Sequence, residues 1–196
     1  MAVSLDHILL GLLREPASGY DLREHFQATV ANFWPARLSQ IYPTLQRLER
    51  KGHLRSRREP SEKGPARRVY SLTKRGRAEL ARWLRLEPQR GTERFGYLGQ
   101  LAFMDELGDP AVTESFVRTL RDQMVEWLER LKAIERAIET ECGAWDEVSE
   151  EEFHGWITLR AGIRTVAARV EWLDETLERL EVRRKRAPAA AHVEEG

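Results

Sequence analysis

At 196 residues the chain can form one large domain or two small ones, with ample length for a buried core. Its formal net charge of zero is a cancellation: residues 1–87 hold 17 Lys and Arg against 9 Asp and Glu, residues 88–196 hold 15 against 23. Cys142 is the sole cysteine, which excludes an internal disulfide and makes a reducing cytoplasm the natural setting. No apolar run approaches the roughly 20 residues of a membrane span, and Met1 to Leu13 lacks the basic start and cleavage site of a secretory signal. The chain is therefore expected to be soluble and cytoplasmic, with no membrane partner.

Ser4 can cap a first helix whose Leu5, Ile8, Leu9, Leu12 and Leu13 share one face, with Glu15-Pro16-Ala17 ending it. Ser18 followed by Asp21 is a capping pattern for a second helix, with Leu22 and Phe26 inward and Arg23 and Glu24 outward. Phe33-Trp34-Pro35 interrupts. From Leu38 to Lys51 a third helix is predicted, because Leu38, Ile41, Leu45 and Leu48 recur at helical spacing. Its opposite face carries Ser39, Gln40, Pro43, Arg47 and Arg50, a mixture of donors, acceptors and cations that suits a DNA groove. Pro43 falls within about the first turn, where a missing N–H costs little. Gly52 then stops the helix, and His53 to Glu59 and Arg67 to Thr73 read as two strands joined by the turn Pro60 to Pro65. With Lys63, Arg67 and Arg68 near its tip, this ribbon is a cationic finger. An ordinary solvated helix and hairpin would carry the same charges. Thr73 caps a fourth helix with Ala78, Leu80, Ala81 and Leu84 on its apolar strip. Three helices, a two-stranded wing and one more helix make a winged helix-turn-helix domain over residues 1–87.

The polar stretch 88–94, with Pro88 and Gly91, is the expected linker. Phe95 to Leu107 reads as an apolar helix, and Asp109-Pro110 signals the start of a longer one of about 30 residues, or roughly 45 Å. In that helix Phe116, Leu120, Met124, Trp127, Leu131, Ile134 and Ile138 repeat nearly in heptads until Gly143. Ser149 with Glu152 forms a capping box for a second long helix, striped by Phe153, Trp156, Ile163, Val166, Val170, Leu173, Leu177 and Leu180. The pair predicts an antiparallel hairpin over 95–182, followed by a disordered tail over 183–196. Its stripes hold more apolar surface than two helices can bury on each other, so Trp127, Leu131, Ile134, Val166, Val170 and Leu173 are expected to be exposed in a monomer and covered by a second copy. The fold class is mainly α, a winged helix-turn-helix followed by a long-helix dimerisation domain.

Catalysis and metal binding find little support. His7, His25, His53, His154 and His192 lack ligand spacing, and the acidic run Asp146 to Glu152 lacks the glycine turn of a calcium loop. No nucleophile elbow or phosphate-cradling loop occurs, so no enzyme activity, cofactor or metal is expected. Trp127, Trp156 and Trp172 read as packing residues. Even so, these aromatics with Phe95, Tyr97 and Phe103 could line a cavity between the two domains.

The runs Ser18-Gly19-Tyr20-Asp21-Leu22, Phe33-Trp34, Gln40-Ile41-Tyr42 and Arg67-Arg68-Val69-Tyr70-Ser71-Leu72-Thr73, with Leu45, Leu48, Gly52 and Gly76, closely resemble the PadR family of bacterial transcription regulators. Phe33-Trp34, Gln40 and Val69 to Thr73 look most like its subgroup of virulence-gene activators. Leu159 to Gly162 and Glu171-Trp172-Leu173 extend a weaker likeness past the linker. The run Arg37-Leu38-Ser39-Gln40 departs from the Ser or Gly-Thr that many relatives carry before Ile-Tyr-Pro, which bears on operator sequence and not on fold.

The resemblance implies a homodimer that binds a double-stranded DNA operator, with C-terminal helices in contact between subunits, and relatives that bind phenolic or hydrophobic compounds. It adds Tyr42 and Tyr70 to the expected DNA contacts, Ser39, Gln40, Pro43 and Arg47 on the helix and Lys63, Arg67 and Arg68 on the wing. The expectation is a sequence-specific repressor, released by a small hydrophobic or aromatic effector. A protein-interaction module using the long hairpin, with incidental DNA binding, is the alternative; weak or salt-independent DNA binding would favour it.

Overall fold

The computed structural model describes residues 4–30, 33–34, 38–61, 64–88, 95–143 and 145–186. The expected linker residues 89–94, tail residues 187–196 and wing residue Lys63 lie outside them. The chain divides into two units, residues 1–93 and 94–196.

In the first unit α1 (Leu5–Leu12), β1 (Ala17–Ser18), α2 (Gly19–Thr29), α3 (Leu38–Arg50), β2 (Leu54–Ser61), β3 (Gly64–Leu72) and α4 (Lys74–Leu84) follow in order. The apolar stripes meet in one core: Leu9, Leu10 and Leu13 from the α1 region, Leu22 and Phe26 from α2, Ile41, Leu45 and Leu48 from α3, then Leu54, Leu72 and Leu80. Trp34 and Trp83 pack against its edge. Ser18 and Asp21 form the capping box at α2, and the Thr73 hydroxyl accepts from the Gly76 N–H at α4. Gly76 is required there, since a Cβ would stand 2.1 Å from the His53 carbonyl oxygen. Gly52 ends α3 at φ +72, a left-handed conformation that favours glycine.

The sheet is antiparallel with order β1-β3-β2. Its third strand was not expected: Ala17 and Ser18 pair with Tyr70 and Val69, and two residues are too few to display a period-two pattern. The wing strands also run further toward the tip than the sequence suggested, to Ser61 and from Gly64, with Pro60 inside β2. An edge strand tolerates this, because the missing proline N–H can face outward. Pro43 is likewise corrected. It is the sixth residue of α3, past the first turn, so it takes a helical donor away from the Ser39 carbonyl on the exposed face.

The second unit comprises α5 (Gly96–Ala102), a 3-10 turn (Met104–Leu107), α6 (Pro110–Cys142) and α7 (Glu150–Arg186). The expected single helix from Phe95 to Leu107 is thus two pieces, closed by Gly108 in the left-handed region at φ 63. Asp109 caps α6 by accepting from the Ala111 N–H at 2.8 Å, and Ser149 with Glu152 caps α7. At 33 and 37 residues the two helices are roughly 50 and 55 Å long. The last turns of α7, Arg183 to Arg186, are helical where a tail was expected.

One seam joins α6 to α7. Leu128 and Leu131 meet Leu159, Ile163 and Val166, while Val117 and Leu120 meet Leu173. Arg121 reaches Asp174 at 2.8 Å and Arg160 reaches Glu135 at 2.9 Å, fixing an antiparallel register. The expectation that Leu131, Val166 and Leu173 stand exposed in one chain is corrected: their exposures are 4, 1 and 1 %, because each helix buries its stripe against the other. Trp127, Ile134 and Val170 are half-buried at the margins of that seam. The apolar side chains left in the open are others, among them Phe103, Leu107, Trp145 and Ile157. No helix among the described residues is long and apolar enough to cross a membrane.

Candidate nucleic-acid interface

Burying Ile41, Leu45 and Leu48 turns the other side of α3 outward, so Ser39, Gln40, Tyr42, Pro43, Arg47 and Arg50 are all exposed. Five of these six side chains can hydrogen-bond, on a cylinder of the width that fits a major groove. Tyr42 is 42 % exposed and its ring lies over Gly19 at the start of α2, where a Cβ would come within 2.7 Å of Cε1. Gly19 is thus a seat for the tyrosine, a role that a lone glycine in a sequence does not reveal.

Arg47 does not stand alone on this face. Its guanidinium donates to Asp6 of α1, and Lys51 donates to the same carboxylate at 3.3 Å. Burial would raise the Asp6 carboxyl, but hydrogen bonds and charge from Arg47 and Lys51 hold it below its ordinary value. The foot of α3 is thereby tied to α1, and Arg47 shares its donors between Asp6 and any base or phosphate it contacts.

The wing has a similar tie. Arg68 on β3 donates to Glu49 of α3 at 2.6 Å and to the Ser56 hydroxyl at 2.7 Å, and Ser56 donates to Glu49 at 2.6 Å. The Ser56 hydroxyl, together with Arg68, holds the Glu49 carboxyl below its ordinary range against the effect of burial. This triangle fixes the base of the wing against the helix. Tyr70, expected as a wing contact, is corrected to a core residue: it is 4 % exposed, burial pushes its hydroxyl pKa up, and Arg68 lies 5.4 Å from its ring centroid. Arg67 is exposed and only loosely paired, 3.7 Å from Glu59 and 3.9 Å from Asp21.

Sequence reasoning missed Arg58. It sits directly across β2 and β3 from Arg68, and like charges in that position repel unless an anion intervenes. Arg68 has Glu49, whereas Arg58 has no partner among the described residues. Counting two residues at a time from buried Leu54 through Ser56 would have placed Arg58 on the Arg68 face. Of the three candidate pocket residues, Phe95 and Tyr97 are in ring contact at 5.5 Å, but Phe103 is 72 % exposed. Among the described residues no cluster of His, Cys, Asp and Glu could hold a metal ion.

A recognition helix with an outward polar face, braced by a cationic two-stranded wing, defines a winged helix-turn-helix of the transcription-regulator class. Residues 8–82 match the transcriptional regulator PadR-like family, and residues 93–181 match the virulence activator alpha C-terminal region. A probable transcriptional regulator of Mycobacterium tuberculosis is 32 % identical over 193 residues, covering 93 % of this chain and 100 % of its own. The negative transcriptional regulator PadR of Bacillus subtilis is 27 % identical over 177 residues, covering 88 and 95 %. Its crystal structure in complex with operator DNA superposes with a TM-score of 0.75 at 25 % identity, over 90 % of this chain and 98 % of that one. The same regulator in complex with p-coumaric acid gives 0.69 at 26 % identity, over 90 and 95 %. The chain belongs to the PadR-like family of transcriptional regulators, whose members are regulators and not enzymes.

Proposed function

We propose that this protein is a cytoplasmic repressor that grips operator DNA as a homodimer and lets go when a small hydrophobic or aromatic effector binds. The outward face of α3 beside the wing carries the reading. Ser39, Gln40 and Arg47 meet base edges, with Pro43 against the groove wall, while Lys63, Arg67, Arg68 and Arg58 meet phosphates. A single winged helix makes a small contact; two linked ones gain because the second contact is intramolecular, with spacing set by the linkage. Support for a dimer comes from apolar side chains that one chain leaves open, Phe103, Leu107 and Ile157, beside half-buried Trp127, Ile134 and Val170. The negative regulator and its p-coumaric acid complex supply the precedent for repression and for an effector.

Selection of genomic fragments by the purified full-length chain at fixed salt tests this directly. One two-fold symmetric site should emerge, bound by a species that sediments as a dimer at micromolar concentration. Gln40→Ala should cost about 1–3 kcal/mol on that site and much less on random DNA. Equal losses on both DNAs remove Gln40 from base reading. A monomeric wild type, or no enriched site, overturns the proposal.

A further inference from the structure

At the α5 and α6 end of the second unit lies a groove of about 730 Å³, within the range of about 300–1,000 Å³ typical of small-molecule sites. Tyr97, Met104, Phe116, Leu120 and Met124 form its apolar wall. Gln100 and Gln123 line it with amides that have no hydrogen-bond partner among the described residues. Among the described residues one charged side chain lines it, and that is acidic Asp109.

These features discriminate by charge. Among the described residues a carboxylate entering the groove meets no lysine or arginine in its lining. The start of α6 offers it nothing either: Pro110 has no N–H, the Ala111 N–H donates to the Asp109 carboxylate at 2.8 Å, and the Val112 N–H donates to the Asp109 carbonyl at 3.2 Å. An anion would therefore lie beside an apolar wall and a like charge with no counter-ion in the described lining, which disfavours the charged form. An uncharged ring gives up little, fills the apolar wall, and can exchange hydrogen bonds with two waiting amides.

We propose that this groove binds uncharged aromatic or amphipathic small molecules and rejects carboxylates. The proposal rests on the effector reading above for its link to DNA release, and on the groove itself for the choice of ligand. By its charge it sets this chain apart from a regulator that holds p-coumaric acid.

Two probes that share one ring and one side arm, p-coumaric acid and its methyl ester, isolate the charge, since only the acid is ionised near neutral pH. Calorimetry on the full-length protein should give the ester a Kd at least tenfold below that of the acid. Ser115→Trp, which fills the groove from α6, should abolish ester binding, with circular dichroism checking that the helices persist. Asp109→Asn keeps a competent helix cap and should narrow the gap by admitting the acid. Operator release is read separately by fluorescence anisotropy. Ester binding that Ser115→Trp removes, without release of DNA, upholds the groove and sinks the effector reading. Acid and ester binding equally, ester binding indifferent to Ser115→Trp, or binding of neither because a second copy covers the groove, overturns the proposal.

Discussion

The two units are held together in opposite ways. In the first, every element sends side chains to one core, and polar ties then cross between elements: Asp6 to Arg47, Glu49 to Arg68 and Ser56, His7 to Glu79. In the second, two helices of 33 and 37 residues share one narrow seam, split into two small clusters. A surface-tied unit with a closed core holds the outward face of α3 in a fixed setting. A long hairpin with one seam is left with apolar flanks, the surface that the proposed dimer would cover.

The largest effect separates seam from flank. Val166 is 1 % exposed within the seam, so Val166→Asp strands a charge and should cost about 3–5 kcal/mol, unfolding the hairpin. Ile157 is 40 % exposed, so Ile157→Asp should leave the helices standing and weaken only self-association. Thermal melts followed by circular dichroism, paired with sedimentation, distinguish the two. Should both variants unfold alike, the division into seam and flank fails; should both stay dimeric, the partner surface lies elsewhere.

A smaller effect probes how sharply the first unit presents its face. Gly19→Ala puts a Cβ 2.7 Å from the Tyr42 ring, and the half-exposed ring can swing away. Helix α2 itself gains, since alanine suits a helix better than glycine does. The melting temperature should hold or rise while operator affinity falls by about 1 kcal/mol, the worth of a typical hydrogen bond. Tyr42→Phe is the companion variant. If Gly19→Ala binds operator as tightly as wild type, the seat has no role in recognition.

How much of this was legible depended on sequence distance. Local signals held: the Ser18–Asp21 and Ser149–Glu152 capping boxes, Asp109 before Pro110, and the helix-ending Gly52 and Gly143 all act within a few residues of themselves. The helical stripes held because burial of one face needs a 3.6-residue period wherever the partner lies. What failed was pairing at a distance. Charge shows in a sequence, but the carboxylate that holds Arg47 is 41 residues away and the one that holds Arg68 is 19 away. Tyr70 entered the expected wing contacts through the family resemblance, and its strand position alone does not say which face closes on the core. Heptad counting likewise found the apolar residues of α6 and α7 without telling seam from flank, since Leu131 and Trp127 sit one turn apart and only the register of α7 decides which is covered.

The mildest test concerns a tie of the first unit, and its sign follows from one carboxyl. Glu79 of α4 accepts from Arg82 at 2.6 and 2.9 Å and lies 3.3 Å from His7 Nε2. Arg82, and then His7, hold its carboxyl at about 2 against an ordinary 4.5, with burial opposing them. A carboxyl lowered on folding contributes stability that is fully present above pH 4.5 and is lost as the pH falls toward 2. Because Arg82 is half-exposed, solvent screening keeps the contribution to about 1 kcal/mol or less. Urea unfolding of wild type and Glu79→Gln should therefore show a gap at pH 6 that shrinks steadily below pH 4.5 and narrows with added salt. A gap of constant size down to pH 2.5 would mean that shape, not charge, makes Glu79 matter, and that the polar ties of this unit are packing contacts rather than the electrostatic fastenings that set it apart from the hairpin.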